Sequence, residues 1–377
     1  MVSHDVKRKK VNFIYNWNNL KEIDRKLAWS GTPYGLYSAL QAMVDVNDIS
    51  LVDNIFEKIL RFGVRATNKI FHMSDFNIVN TKIEEGQVNR SKILSGAPCI
   101  TFLEYNSRYA KDTYVYQDCS ADYFARLVTE EPELVSQRTF PQIVLGKRCN
   151  MTAKFYNTCR GVFTMSEWLT KDLVENVGLP AEKVHCVRGG SNMDFTKYKG
   201  SDKNGKRFLY VGKDWKRKNG PLVIQAFESL ERKYSGVELY IAGPMEKPKF
   251  HSNQVHFLGR LSYEEVVDYY NLCDYFVMPS KFEPYGIVFV EALIFGLPCI
   301  GKRCFAMPEF IQEDVNGYLL SEDNAEELCR LMECMMINQG RLKENCLQNQ
   351  EDYINFYTWN SVAERIIDVM KKDGYNI

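Results

Sequence analysis

Phe276-Val-Met-Pro-Ser-Lys-Phe-Glu-Pro-Tyr-Gly-Ile-Val-Phe-Val-Glu-Ala292 is the stretch on which the fold turns. It opens as an apolar run of strand length and passes through a loop punctuated by Pro279, Pro284 and Gly286. It continues as an apolar helix that Gly296 and Pro298 end. A strand that hands over directly to a helix is the repeating unit of a parallel, doubly wound sheet. The loop carries Glu283, and the helix carries Glu291 about one turn above Ile287 and Val288, on the same face. Gly286 lets backbone come close to a ligand. The first N–H groups of the helix, at the positive end of its dipole, suit an anion such as a diphosphate. A carboxylate at Glu291 can accept hydrogen bonds from two neighbouring hydroxyls, as a ribose offers.

The same alternation runs outward on both sides. Downstream, Pro298–Gly301 and Gly317–Leu320 read as short strands, and about 361–372 as an amphipathic helix. Upstream, Tyr275–Met278 follows the capping box Ser262-Tyr-Glu-Glu265 and its helix. Val255–Leu258, Glu238–Ala242 and Phe208–Val211 read as strands, with a helix opened by Asn219-Gly-Pro-Leu. The polar segment from about Lys197 to Lys206 reads as a linker. Before it, Val11–Trp17, Lys69–His72, Cys99–Leu103, Thr113–Tyr116, Gly161–Met165 and Val184–Val187 are strand candidates. Helices are expected from the Ser30–Leu36 segment to about Val44, where Thr32 suits an N-cap and Pro33 the first helical position, and from Ser166 to about Val177. The expected fold is therefore α/β with two doubly wound Rossmann-like domains facing across a cleft, ligands favouring the carboxyl ends of the strands. The boundaries are 1–197 for the first domain, with a C-terminal helix of about 361–377 packing back on it, and 198–360 for the second.

Composition narrows the classes. The 377 residues carry 48 basic and 48 acidic side chains, so global charge gives no argument for nucleic acid. The 11 cysteines are scattered and show no zinc spacing, which fits reduced thiols in a cytoplasmic protein better than a disulfide framework. Val11 opens a strand and not a signal-peptide core, and no apolar run of about 18 residues exists to span a membrane. Peripheral contact with the inner face of a membrane stays open, as does the oligomeric state.

The Glu283/Glu291 spacing, set in a strand–loop–helix, resembles the Glu-x7-Glu signature of the retaining glycosyltransferases of family 4 and their GT-B fold. The resemblance spans nearly the whole chain and is strongest from about Gly161 to Leu320. It implies that Glu283 approaches the transferred sugar and Glu291 holds the nucleotide ribose. Tyr285 and the backbone of Gly286, Ile287 and Val288 then serve the donor. Val211-Gly-Lys-Asp-Trp-Lys-Arg-Lys-Asn-Gly220 places Lys213, Arg217 and Lys218 in one loop. A solvated basic loop reads the same way. The resemblance makes Lys218 a catalytic diphosphate ligand, with Lys213 standing where the family has arginine. Lysine lacks that bidentate fork, so Arg217 shares the role. Phe257-Leu-Gly-Arg-Leu-Ser262 makes Arg260 and Leu261 candidates beside the nucleobase. Ser30-Gly-Thr-Pro resembles the family's glycine loop, with Gly31 near donor phosphate or sugar, although a helix-capping turn explains the same residues. Many members carry a histidine after a strand of the first domain. Here Asp118 follows the corresponding strand, as in a branch with Asp in its place, and His72 is the alternative.

The resemblance implies transfer of a hexose from a nucleoside diphosphate sugar, UDP-sugar first and GDP-mannose second, to a hydroxyl of a glycan or lipid-linked acceptor. The anomeric configuration is retained. No cofactor and no metal is required, since lysines and a helix end supply positive charge. A sugar-nucleotide epimerase on the same fold and a non-enzymatic two-lobed sugar-binding protein are the alternatives.

Overall fold

The computed structural model of this chain describes residues 10–17, 25–26, 28–70, 78–135, 141–200 and 205–377. They form two compact units, Met1–Asn192 with Trp359–Ile377, and Met193–Thr358. The chain returns to its first unit for the last helix.

In the first unit the order is β1 (Lys10–Tyr15), α1 (Thr32–Met43), β2 (Asp45–Ser50), α2 (Ile55–Ile70), α3 (Ile78–Arg90), β3 (Cys99–Thr101) and β4 (Thr113–Gln117). Then come α4 (Ala121–Glu130), α5 (Gln142–Thr158), β5 (Gly161–Thr164), α6 (Glu167–Glu175) and β6 (Val184–Cys186). The strands are all parallel in the order β2-β1-β3-β4-β5-β6. Val115 and Val162 of the sheet pack with Phe155 of α5 and Leu169 and Leu173 of α6. The order reverses between β1 and β3, and a doubly wound sheet opens its ligand crevice at such a reversal.

One expected strand fails in this unit, and one strand was not anticipated. Lys69 and Ile70 end the long helix α2 instead of opening a strand, because the apolar residues of 55–70 recur at helical spacing. The remainder of the Lys69–His72 segment, with His72, lies outside the described residues. Conversely, β2 reads Asp-Val-Asn-Asp-Ile-Ser and gives no apolar signal. It lies at the sheet edge, where only Ile49 is buried, and its pairing with β1 supplies the order that its composition hides.

The second unit contains β7 (Arg207–Val211), α7 (Gly220–Glu231), β8 (Glu238–Ala242), β9 (Val255–Gly259), α8 (Tyr263–Leu272), β10 (Tyr275–Val277) and α9 (Ile287–Ile294). It continues with β11 (Cys299–Lys302), β12 (Gly317–Leu320), α10 (Ala325–Ile337), α11 (Gln339–Gln348) and α12 (Gln350–Phe356). This sheet too is parallel, in the order β12-β11-β10-β7-β8-β9. The reversal lies between β7 and β10. Tyr275, Phe276 and Val277 of β10 are fully buried, as a central parallel strand covered on both faces requires. Apart from Glu291, helix α9 is apolar all round, and it is buried beyond its first turn as a core helix is.

Helix α13 (Trp359–Lys372) belongs to the first unit and lies against α1. Its Trp359 indole sits between Gly35 and Gly190, where added Cβ atoms would come within 2.2 and 2.5 Å of the ring. The indole N–H donates to Asn192 Oδ1 at 2.8 Å. Arg365 Nε donates to the Val187 carbonyl at 2.8 Å, and the Tyr114 hydroxyl donates to Asp373. No helix among the described residues is long and apolar enough to cross a membrane.

Candidate functional site

The pairing of β7 with β10 sets the loop after β7 (212–219) beside the loop after β10 (278–286). The first loop coils before α7 begins. Lys218 N–H donates to the Asp214 carbonyl and Gly220 N–H to the Trp215 carbonyl, both at 2.9 Å. The Asp214 carboxylate accepts from Arg217 N–H at 3.2 Å and Arg217 Nε at 3.3 Å. The second loop is stitched to the first. Lys281 N–H donates to the Arg217 carbonyl at 2.9 Å, and Ser280 Oγ donates to the Phe282 carbonyl at 3.0 Å. The Arg217 guanidinium reaches across to donate to that same Phe282 carbonyl.

These ties bring together Lys218 and Glu283, which form an ion pair with side chains 12% and 9% exposed. Burial pushes the Lys218 ammonium below the usual lysine range. Glu283 pulls it back, Arg217 pushes it further down, and the balance stays low. A cation held in this way is stabilised by whatever negative charge stands beside it. A diphosphate would compete with Glu283 for it and leave that carboxylate free to accept a hydroxyl.

Gly286 caps the N-terminus of α9 with φ 87° and ψ 47°. A Cβ there would lie 2.8 Å from Glu283 Cγ and 3.1 Å from Phe289 Cδ2, so both the backbone and the neighbouring glutamate require glycine. Ile287 and Val288 form the half-buried first turn. Glu291 is 3% exposed. Burial, then the Glu291 charge and the hydrogen bond to its carboxylate, hold the Tyr270 hydroxyl well above the usual tyrosine range. The Tyr285 ring packs edge-on against Phe310 at 5.3 Å. Lys213 is exposed and pairs with no described residue. Arg260, also exposed, and half-buried Leu261 follow the outer strand β9, two positions from β7.

The same edge holds residues that the motif reading missed. Asp323 Oδ1 accepts from Asn219 Nδ2 at 3.0 Å and from Lys302 Nζ at 2.7 Å, while its Oδ2 lies 3.5 Å from Lys281 Nζ. Lys302 is the last residue of β11. A charged residue ending an apolar strand was the available signal. Lys213, Arg217, Lys218, Lys281 and Lys302 thus gather at the carboxyl edge of one sheet.

In the first unit Gly31, and not Thr32, caps α1, with φ 83° and no side-chain cap, so Thr32 is already the first helical residue. Trp29 and Ser30 before Gly31 also have positive φ, 43° and 56°, a strained run of the kind found at functional turns. A Cβ on Gly31 would lie 2.6 Å from Asn192 Nδ2, which donates to the Ser30 carbonyl at 2.8 Å. Asp118 is half-buried in the short turn between β4 and α4, just before the capping Ser120. Near it runs a buried network that the sequence did not show. Arg148 donates to the Glu104 carboxylate at 2.6 Å and to its carbonyl at 2.9 Å, and Gln117 Nε2 donates to the Tyr156 hydroxyl at 2.7 Å.

With this geometry in hand, comparison with known proteins is specific. Residues 194–353 match the family model described as glycosyl transferases group 1. An uncharacterized glycosyltransferase of Methanocaldococcus jannaschii is 24% identical over 239 residues, which is 57% of this chain and 60% of that relative. The chain therefore spans little more than half the length of that relative. Among solved structures, sucrose-phosphate synthase from Thermosynechococcus elongatus superposes with a TM-score of 0.64 at 13% identity, over 97% of this chain and 99% of that one. HepE of Anabaena, solved in complex with UDP-glucose, gives a TM-score of 0.61 at 14% identity, over 97% and 100%. The chain has the GT-B fold, and its residues 194–353 carry a glycosyl transferases group 1 domain.

Proposed function

We propose that this protein is a retaining glycosyltransferase that moves a hexose from a nucleoside diphosphate sugar to a hydroxyl of a glycan or lipid-linked acceptor. The observation that carries the reading is the buried Lys218–Glu283 pair at the strand-order reversal, beside the Gly286 helix N-terminus. The donor diphosphate takes Lys218, Arg217 and the first N–H groups of α9. Glu283, released from Lys218, accepts hydroxyls of the transferred sugar. As the bond from the anomeric carbon to the phosphate oxygen stretches, charge grows on the diphosphate, and Lys218 stabilises it where it develops. The leaving phosphate draws the proton from the acceptor hydroxyl as that oxygen bonds to the same face of the anomeric carbon. No side-chain nucleophile is used, and the cations of this edge take the part a metal ion would otherwise play. Glu291 exchanges the Tyr270 hydroxyl for the ribose hydroxyls. Asp118 and Gly31 are assigned to the sugar and its phosphate.

A uridine donor comes first, in keeping with HepE and its bound UDP-glucose, and GDP-mannose second. The test is donor binding and donor hydrolysis with UDP- and GDP-sugars, for the wild type, Lys218→Ala and Glu291→Ala. The reading expects the first variant to lose turnover and the second to lose nucleotide affinity. Wild-type affinity and turnover in both would overturn it. Product that keeps the nucleotide and differs only in sugar stereochemistry, formed with no acceptor, would turn the assignment to an epimerase.

A further inference from the structure

Helix α2 is built inside out. Its buried residues are Glu57, Arg61 and Asn68, whereas its apolar side chains face solvent: Ile55 is 79% exposed, Phe56 68%, Ile59 62%, Phe62 73% and Ile70 71%. At about 100° per residue, Ile55, Phe56, Ile59, Phe62, Ala66 and Ile70 fall in one continuous stripe. The polar ridge is fully engaged within the unit. Glu57 and Asn54 cap each other, with Asn54 N–H donating to Glu57 at 3.0 Å and Glu57 N–H to Asn54 Oδ1 at 2.9 Å. Gln87 donates to Glu57 at 3.0 Å and Arg90 pairs with it at 2.5 Å. Arg61 Nε bonds Asp53 at 3.0 Å and its NH2 reaches Glu84 at 3.5 Å. Polar anchoring fixes the helix in place with its apolar face outward. A soluble surface seldom leaves so long a run of large apolar side chains in water without a use for it.

The charges identify what covers the stripe. Lys58, Arg65 and Lys69 are exposed and recur at helical spacing along one border of the apolar arc. The only carboxylate of the helix, Glu57, is buried and neutralised by Arg90. The outer face of the helix, among the described residues, therefore offers apolar side chains edged by cations with no anion of the helix among them. Long lysine and arginine stems lie along apolar matter and carry their charge to a polar layer above it. A convex ridge with this layout suits the boundary between acyl chains and anionic headgroups. A second copy is disfavoured, since helices pairing antiparallel about a two-fold axis would set Lys58 against Lys69 and Arg65 close to its own counterpart.

We infer that α2 is the element by which this protein lies on an anionic lipid bilayer, its apolar stripe in the interface and Lys58, Arg65 and Lys69 against lipid phosphates. The inference does not rest on the donor reading, and its test reads lipid binding without any turnover, so the two can fail separately. The experiment is sedimentation of the full chain with vesicles of phosphatidylcholine alone, or of phosphatidylcholine with phosphatidylglycerol. Wild type should partition to the mixed vesicles and not to the neutral ones. Its bound fraction should fall as salt rises. Phe62→Glu, and separately the combination of Lys58→Glu, Arg65→Glu and Lys69→Glu, should each lower the partition coefficient by about tenfold or more. All of these side chains are exposed, so circular dichroism should stay that of the wild type. Three results would overturn the inference. The wild type could stay in the supernatant at every composition, or the variants could bind vesicles equally well. Lipid-free wild type could also be a dimer that Phe62→Glu dissociates, which would assign the stripe to a second copy.

Discussion

The carboxyl edges of the two sheets treat charge in opposite ways. At the β1/β3 reversal, among the described residues, Glu104 and Arg148 are closed on one another, each 9% exposed. The walls there are aromatic, with Phe102 edge-on to Phe13, Tyr15, Trp29 and Tyr116. At the β7/β10 reversal the cations outnumber what holds them. Lys213 is exposed with no described partner, Lys281 and Lys302 share Asp323, and buried Lys218 pairs with Glu283. One architecture thus provides two kinds of edge. An anionic ligand gains from the second, where its charge replaces or supplements the carboxylates, and gains little from the first, where the cation of the network is already bonded.

Breaking each pair is the strongest way to test that contrast. Arg148→Met leaves Glu104 buried without its partner and should cost about 3–5 kcal/mol, with most of it regained in the double variant with Glu104→Gln. Trp17, Trp29, Trp168 and Trp359 lie in the first unit and Trp215 in the second, so tryptophan fluorescence during chemical denaturation weights the unit in question. If the first edge is structural, donor affinity should survive in the folded variant. Lys218→Met is the matching change at the second edge. It should lower turnover about 10²–10³-fold, the size of losing one electrostatic stabiliser of a transition state. Equal loss of turnover from both variants would erase the distinction.

The pH dependence sharpens the same point. Burial lowers Lys218 from an ordinary value of 10.5. Its ammonium is therefore lost before that of a free lysine, and kcat/KM for an anionic donor should fall on the alkaline side at a pH below 10.5. The sign for stability is the reverse. Between the folded value and the ordinary one, the unfolded chain binds a proton that the folded chain has released, so this group makes stability rise with pH across that window. A kcat/KM profile flat to the usual lysine range, in wild type at constant ionic strength, would mean that Lys218 carries no donor charge.

How much of this was legible beforehand follows from the same contrast. The second edge was read from Glu283, Gly286 and Lys218 because strand, loop and helix run consecutively there, and local sequence states local structure. The ion pair between Lys218 and Glu283 was not legible, since it depends on β7 and β10 lying side by side. Asp323 and Lys302 were missed for the same reason: each is an ordinary charge until β11 and β12 place it. In the first unit the polar edge strand β2 gave no apolar alternation to read, and Glu104–Arg148 joins a loop to a helix 44 residues away. Helix α2 misled at its end because Lys-Ile-Phe-His looks like a strand when cut from its periodic run.

Substituting Gly286 probes whether the second edge acts through its shape. Gly286→Ala brings a Cβ to 2.8 Å from Glu283 Cγ at φ 87°. The left-handed backbone costs about 1–2 kcal/mol for a residue with a Cβ, and the contact turns Glu283 away from Lys218. Stability should fall by that amount, and donor affinity should fall more than tenfold. Lost stability with unchanged affinity would separate the glycine from the ligand.

The smallest effect belongs to Lys213, and it distinguishes contact from field. An exposed ammonium with no described partner contributes little to folding, so Lys213→Ala should leave the denaturation midpoint within error. If Lys213 touches the diphosphate, the rise in donor Kd should persist as salt is raised. If it acts only as part of the summed potential of the edge, the rise should be about two- to fivefold at low salt and vanish near about 0.5 M, where screening confines a charge to a few ångströms. Lys218→Ala at the same salt is the reference, because a buried cation is screened far less. The two curves should converge only if the edge works as a field throughout, which would demote the Lys218–Glu283 pair from a specific site to one member of a basic surface.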